Sequence, residues 1–389
     1  MSRVFLAILI AYSAAHAQRP AVEEAWELLA KGKREQAVTL LGEIIRRNSA
    51  DADARLLLGS ILADGGDHAG ALVHLRQAVK LRPNYAEARN ALGESLNALG
   101  DTRSARETFQ RAVELAPNHA RARENLGLTL LQDGMFAEAG QQLDDAIRLL
   151  GDSEPAAYTR YLRAKVHAEQ NEPKKAAAEL NRALALRPDF AEAWSDLGQA
   201  RLTLGDDAGA LAAFERSVRL NPEGAVALTR LGSLYLQFGR ARDAVPHLEK
   251  AARLDAENQT ALYNLQRALR ENGQVERAAQ IKTQLTELFR KRDRASQDAL
   301  VAVRLNNEGA SLEKKGNLRA AVEKYRTAVD KNPKHAGIRV NLAVALLRLG
   351  RWQEGIAELR EAVRQDPTNE RFRRALEDAL AQAPAAAKQ

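Results

Sequence analysis

Apolar and polar residues alternate along this chain with the period of an amphipathic helix, and the alternation breaks at fixed intervals. Residues 86–119 carry the pattern most regularly, as AEARNALGESLNALGDTRSARETFQRAVELAPNH. Two helical patterns are separated by a turn at Gly100–Asp101 and closed by Pro117–Asn118. Side chains three and four residues apart share a helix face, so the expected unit is a pair of helices, each burying one stripe. The same unit, more or less altered, fills the chain from about residue 18 to residue 369.

Three phased series mark the repeat. Glycine recurs at Gly59, Gly93 and Gly127, then at Gly198 and Gly232, and later at Gly309. Alanine recurs at Ala37, Ala71, Ala105 and Ala139, then at Ala176, Ala210, Ala244 and Ala278, and later at Ala321. Proline recurs at Pro83 and Pro117, at Pro188 and Pro222, and at Pro333 and Pro367; the interval within each unbroken series is 34 residues. Gly93 falls inside the first helix of its unit, where glycine costs about 1 kcal/mol relative to alanine, so its recurrence implies a close approach of the partner helix. Ala105 faces the same contact from the second helix, and a larger side chain there would overpack by about 1–3 kcal/mol. Gly100 and its equivalents are expected to end the first helix in the left-handed conformation, and Pro117 and its equivalents to end the second.

On these residues the chain resembles tetratricopeptide repeat proteins. That family's 34-residue unit has small residues at positions 8, 20 and 27 and proline at position 32, occupied in residues 86–119 by Gly93, Ala105, Ala112 and Pro117. Phe109 and Phe214 take the aromatic position 24, and Trp194 takes position 4. The resemblance implies an all-α fold, a right-handed α-solenoid of stacked antiparallel helix pairs. Ten units are readable: 18–51, 52–85, 86–119, 120–153, 157–190, 191–224, 225–258, 259–292, 302–335 and 336–369.

The departures divide the chain further. The first unit has Ala25 in place of glycine and Ser49 in place of proline, as expected of a degenerate end repeat. Three extra residues, Glu154–Ala156, break an array of about eight repeats at 18–292, and Pro155 cannot sit inside a helix. Unit eight has Gln266, Lys282 and Arg290 where glycine, an apolar residue and proline are usual, and no glycine or proline occurs between Val275 and Glu308. A helical linker at 293–301 is therefore expected, with a flexible charged linker as the alternative. Two further repeats follow at 302–369. Residues 370–382 place Phe372, Ala375, Leu376 and Ala379 on one face, as a helix capping the end of a solenoid would, and 383–389 reads as a disordered tail.

Composition changes this picture little. Aromatic residues are 5 % of the chain, and its helix formers leave few residues that favour strands. Residues 1–17 combine Arg3, the apolar run Val4–Ala11 and the small-x-small site Ala15-His16-Ala17, the pattern of a cleaved secretory signal. That run is shorter than the roughly 20 residues a transmembrane helix needs. Cysteine is absent, so disulfides, an acylated cysteine anchor and thiolate chemistry are excluded. The 58 basic and 51 acidic residues leave a formal charge of +7, which permits an anionic partner without demanding one; nucleic acid is not expected.

No motif for catalysis, phosphate, cofactor or metal binding is present, so a non-enzymatic protein is expected. The 7 histidines do not cluster. His167 takes an apolar packing position and reads as a hydrogen-bonded core residue, while His119 and His335 fall in turns between repeats. Asp206-Asp207 reads as a helix cap and Asp144-Asp145 as helix surface. Binding is the better prospect. In the resembled family the groove is lined by positions 2, 5, 9 and 12 of the first helix, sometimes 6 and 13. Mapped onto this chain, that implies an acidic, amide-rich run of Asp53, Asp64, Glu87, Asn90, Glu94 and Asn97. It also implies Tyr158, Tyr161, Lys165, Gln199, Arg230, Tyr263, Asn264, Arg267 and Arg270 further along.

Tyrosine and arginine provide contact area plus a polar handle, so a protein or peptide with an acidic portion is the expected partner. The tyrosines would serve equally to pack neighbouring repeats. Asparagines at position 6 (Asn125, Asn264, Asn307 and Asn341) lack the surrounding lysines and arginine of the family's carboxylate clamp. The expectation is an exported interaction scaffold, periplasmic or extracellular. The alternative is a binder of cell-envelope glycan, or an accessory of polysaccharide machinery.

Overall fold

The computed structural model describes residues 20–367 and 369–384. The leader at 1–17 and the tail from residue 385 lie outside the described residues. Those described form 20 helices and no strand. They divide into two compact parts, one up to Pro222 and one from Glu223.

The first part holds six helix pairs, in which the first helix of each pair is followed by its partner. They are α1 (Pro20–Ala30) with α2 (Arg34–Arg47), α3 (Ala52–Asp64) with α4 (His68–Leu81), and α5 (Ala86–Ala98) with α6 (Thr102–Leu115). After them come α7 (Ala120–Gln132) with α8 (Phe136–Leu150), α9 (Ala156–Glu169) with α10 (Pro173–Leu186), and α11 (Ala191–Thr203) with α12 (Asp207–Leu220). Each pair is antiparallel, and up to α11 the second helix of a pair also packs on the first helix of the next. The first helices α3, α5, α7 and α9 touch one another in turn along one side of the stack.

The second part comprises α13 (Ala225–Gln237), α14 (Ala241–Leu254), α15 (Gln259–Glu271), α16 (Val275–Lys314), α17 (Leu318–Lys331), α18 (Ala336–Arg348), α19 (Trp352–Gln365) and α20 (Glu370–Gln382). Residues 293–301 lie inside α16, one helix of 40 residues. It is the second helix of repeat 8 and the first helix of repeat 9 at once. At the far end, Phe372, Ala375 and Leu376 of α20 pack into the cluster built by Val340, Ile356 and Leu359.

Position 8 meets position 24 inside each regular pair. A Cβ on Gly93 would stand 2.6 Å from the Phe109 ring, and one on Gly198 would stand 2.7 Å from Phe214. Phe109 is 2 % exposed, so its ring has nowhere to retreat. The turn glycines behave as their spacing predicts: Gly100 has φ +84° and Gly205 φ +78°. Repeat 5 manages the same turn with Asn171 at φ 56°, the non-glycine residue that best tolerates that region.

His119 does more than fill a turn. Its Nδ1 accepts the Ala122 N–H at 3.2 Å and caps α7, as His335 Nδ1 caps α18 through Ile338 N–H at 3.3 Å. Burial holds the His119 imidazole below its ordinary value of 6.5; Arg121 acts the same way, and Glu87 and Glu94 oppose it. The folded state therefore holds His119 neutral while the unfolded chain protonates. Its contribution is complete above the unfolded value near 6.5 and is lost as pH falls below it. The expected result is a melting temperature that drops between neutral pH and pH 5. In a His119→Asn variant, which keeps a capping acceptor but does not titrate, that drop is smaller.

Candidate functional site

Three residues of the acidic, amide-rich run expected in repeats 2 and 3, Asp53, Asn90 and Glu94, are hydrogen-bonded within the protein. Asp53 is 1 % exposed; it accepts from the two Arg82 guanidinium NH2 groups at 3.1 and 2.9 Å and from the Tyr85 hydroxyl at 2.7 Å. The Arg82 guanidinium also lies 4.2 Å from the Tyr85 ring centroid. Burial first, and then the hydrogen bond to Asp53, push the Tyr85 phenol well up, so it stays a donor. Next along the stack, Asn125 Nδ2 donates to Asn90 Oδ1 at 2.9 Å and Glu94 Oε1 at 2.8 Å, and Arg121 Nε donates to the same Glu94 oxygen at 2.8 Å. Asp53, Asn90 and Glu94 are thus inter-repeat fasteners, since leaving such a buried polar group without a partner costs about 1–3 kcal/mol.

Two other position-6 asparagines repeat this role. Asn264 Nδ2 donates to Ser233 Oγ at 2.6 Å, and Asn341 Nδ2 donates to Asn306 Oδ1 at 2.8 Å. Each reaches back to position 5 or 9 of the preceding repeat. Asn264, read from the sequence as a groove residue, faces its neighbouring helix.

Tyr158, Tyr161 and Lys165 do come together. They line a cleft of about 600 Å³ between α7 and α9, with Leu128, Leu131 and Phe136 as its apolar wall. Lys165 and Glu169, both exposed, stand one helical turn apart at its margin. The tyrosine ring centroids are 6.1 Å apart, and Tyr161 is 4.8 Å from Phe190, so each ring packs on one side and opens to the cleft on another. Lys165 Nζ lies 5.6 Å from the Tyr161 centroid, a weak cation–π contact at an exposed site. Burial, then Asp196, raises the Tyr161 phenol; burial, then Glu124, raises that of Tyr158. Both rings therefore offer uncharged hydroxyls.

Further residues expected to line a groove lie in the second part. Tyr263 is 62 % exposed on α15. Arg267 Nε donates to Glu271 Oε1 at 2.7 Å on the same helix, which leaves its charge partly neutralised. Arg270 is exposed, and Arg230 on α13 is half-buried.

Sequence reasoning passed over the wall of the cleft. Leu128 and Leu131 occupy positions 9 and 12 of repeat 4, so the mapping used for the other repeats finds them when applied there. A second departure is Arg163 at position 7, where leucine is usual; it donates to both Asp144 oxygens at 2.7 and 3.1 Å. Gly140, whose added Cβ would lie 3.4 Å from that guanidinium, makes room for it. His167 is buried, with Nδ1 2.7 Å from Glu172 Oε2. Among the described residues, no cluster of three or more His, Asp or Glu has metal-site geometry, and no helix is long and apolar enough to cross a membrane.

The family model for the tetratricopeptide repeat matches residues 22–86, 73–117, 90–154, 161–225, 229–283 and 306–370. No curated protein matches the chain. Among solved structures, Pseudomonas aeruginosa PilF is similar at 20 % identity over 55 % of this chain and 96 % of its own, with a TM-score of 0.50. A tetratricopeptide repeat protein from Parabacteroides merdae is similar at 17 % identity over 64 % of this chain and 98 % of its own, also with a TM-score of 0.50. At those identities the likeness is one of fold, but the repeat matches run through most of the sequence. The chain belongs to the tetratricopeptide repeat family.

Proposed function

We propose that this protein is an exported, non-enzymatic scaffold that holds a segment of a partner protein in the cleft between α7 and α9. The repeats of this family make protein-interaction scaffolds, which is the coarse frame. The finer reading rests on one observation: Tyr158 and Tyr161, with Leu128 and Leu131, line one cleft with a lysine at its margin. Such a site takes a large apolar side chain and favours an acidic residue where the ligand passes Lys165 rather than Glu169. Tyr263, Arg267 and Arg270 extend the same chemistry in the second part as a separate contact surface. The signal-like residues 1–17 support export to a periplasm or the cell exterior.

Selection of a displayed peptide library on the purified protein tests this reading. The expected binders pair an aromatic or branched aliphatic residue with Asp or Glu. Lys165→Glu is expected to weaken them about tenfold and to reduce their salt dependence. Tyr161→Ala is expected to cost about 2 kcal/mol of binding, as a hot-spot residue does. Binders that keep full affinity for a folded Tyr158→Ala/Tyr161→Ala variant would sink the proposal. Salt-insensitive retention of cell-wall glycan, lost with the same tyrosines, would point instead to the polysaccharide reading.

A further inference from the structure

Helix α16 leaves two stacking faces uncovered, and both lie on one side of it. In a regular junction, positions 3 and 7 of a first helix pack against the second helix of the repeat before; in repeat 3 these are Ala88 and Leu92, 0 % and 8 % exposed, in the same cluster as Leu72 and Leu75. Repeat 9 has Arg304 and Glu308 there, with side chains 71 % and 42 % exposed. The outgoing face of repeat 8 is altered to match. Its position 24 is Lys282, exposed, where the regular repeats bury Leu, Phe or Tyr, and its position 28 is Thr286, also exposed. Because one helix serves both repeats, neither face has the adjacent repeat's helix that covers it at a regular junction.

Helical geometry joins the two faces. At 100° per residue, Lys282, Thr286, Asp293, Gln297, Leu300, Arg304 and Glu308 fall in one stripe, with Phe289 on its flank. Leu300 is 73 % exposed and Phe289 48 %, large values for apolar side chains in the middle of a helix. The stripe is basic near its start, at Lys282, and acidic near its end, at Glu308.

We propose that α16 pairs antiparallel with α16 of a second copy of this chain. The antiparallel arrangement restores the second-helix-against-first-helix packing of an ordinary junction at both ends of the stripe. In that register Lys282 stands opposite Glu308 of the second copy, twice over by symmetry, and Phe289 lies beside the copy's Leu300. The two-fold axis falls level with Ala295. Glu308 Oε2 is held by Lys324 at 2.7 Å, which fixes the carboxylate and leaves Oε1 directed elsewhere, 3.9 Å from Arg304. A two-fold interface of this kind is self-complementary, as isologous contacts are.

Sedimentation of the purified protein across a concentration series tests the pairing. The expected result is a monomer–dimer equilibrium. Lys282→Glu and Glu308→Lys should each weaken the dimer about tenfold, and the double exchange should restore it, because each variant alone sets like charges against each other twice. Leu300→Glu, at a site exposed in the single chain, should give a monomer with an unchanged helical circular-dichroism spectrum. A monomer at every concentration overturns the proposal, whatever else covers the stripe. So does a double exchange no tighter than the single variants.

Discussion

Replacing Arg82 by methionine is expected to destabilise the protein by about 3–5 kcal/mol, because it strands a buried carboxylate. The asymmetry of the pair decides the size. Asp53 is 1 % exposed at its side chain, whereas Arg82 is 38 % exposed. Removing the arginine takes away the cation beside Asp53 and leaves too little water to solvate its charge. Removing the acid by Asp53→Asn leaves a guanidinium that water reaches, so the loss is expected to be about half as large. Urea melts of the two variants check the order, and equal losses would mean that the pair is solvated despite its burial.

Phe109→Ala is the other large effect, at about 3–5 kcal/mol. The ring fills the space that Gly93 leaves open, so its removal leaves a cavity between the two helices. Phe109→Leu is expected to cost about 1 kcal/mol, since Leu75, Leu143 and Leu248 occupy the equivalent positions against Gly59, Gly127 and Gly232 in the same fold. Thermal unfolding measures both. A Leu variant as damaged as the Ala variant would show that the ring geometry, and not filled volume, holds this repeat together.

Much of the fold is legible because its determinants are local. Gly100 requires a left-handed turn, Gly93 requires a close approach, and both requirements recur every 34 residues. Asn171 shows the limit of counting glycines, since an asparagine makes the same turn. The site was half legible. Helical spacing puts Tyr158, Tyr161 and Lys165 on one face, and they do share a cleft. The same spacing could not say that Asp53 has a partner 29 residues on at Arg82, or that Asn125 reaches back to Asn90. Periodicity names the face a side chain occupies; what stands across from it belongs to another repeat, with its own residue types. His119 was missed for a related reason, because capping depends on the orientation of one ring and not on a pattern.

An array of repeats unfolds as a one-dimensional chain of coupled units, with the coupling carried by interfaces between neighbours. Between repeats 8 and 9 that interface is missing, and α16 replaces it with continuous backbone hydrogen bonding. Coupling there is therefore set by helix propagation, which is local and weakened by fraying, rather than by buried area. The amides near residue 295 are then expected to exchange faster than those of the packed helices on either side. A helix that looks like the stiffest element of the second part is where its cooperativity divides, and a second copy bound along it would join the two halves again.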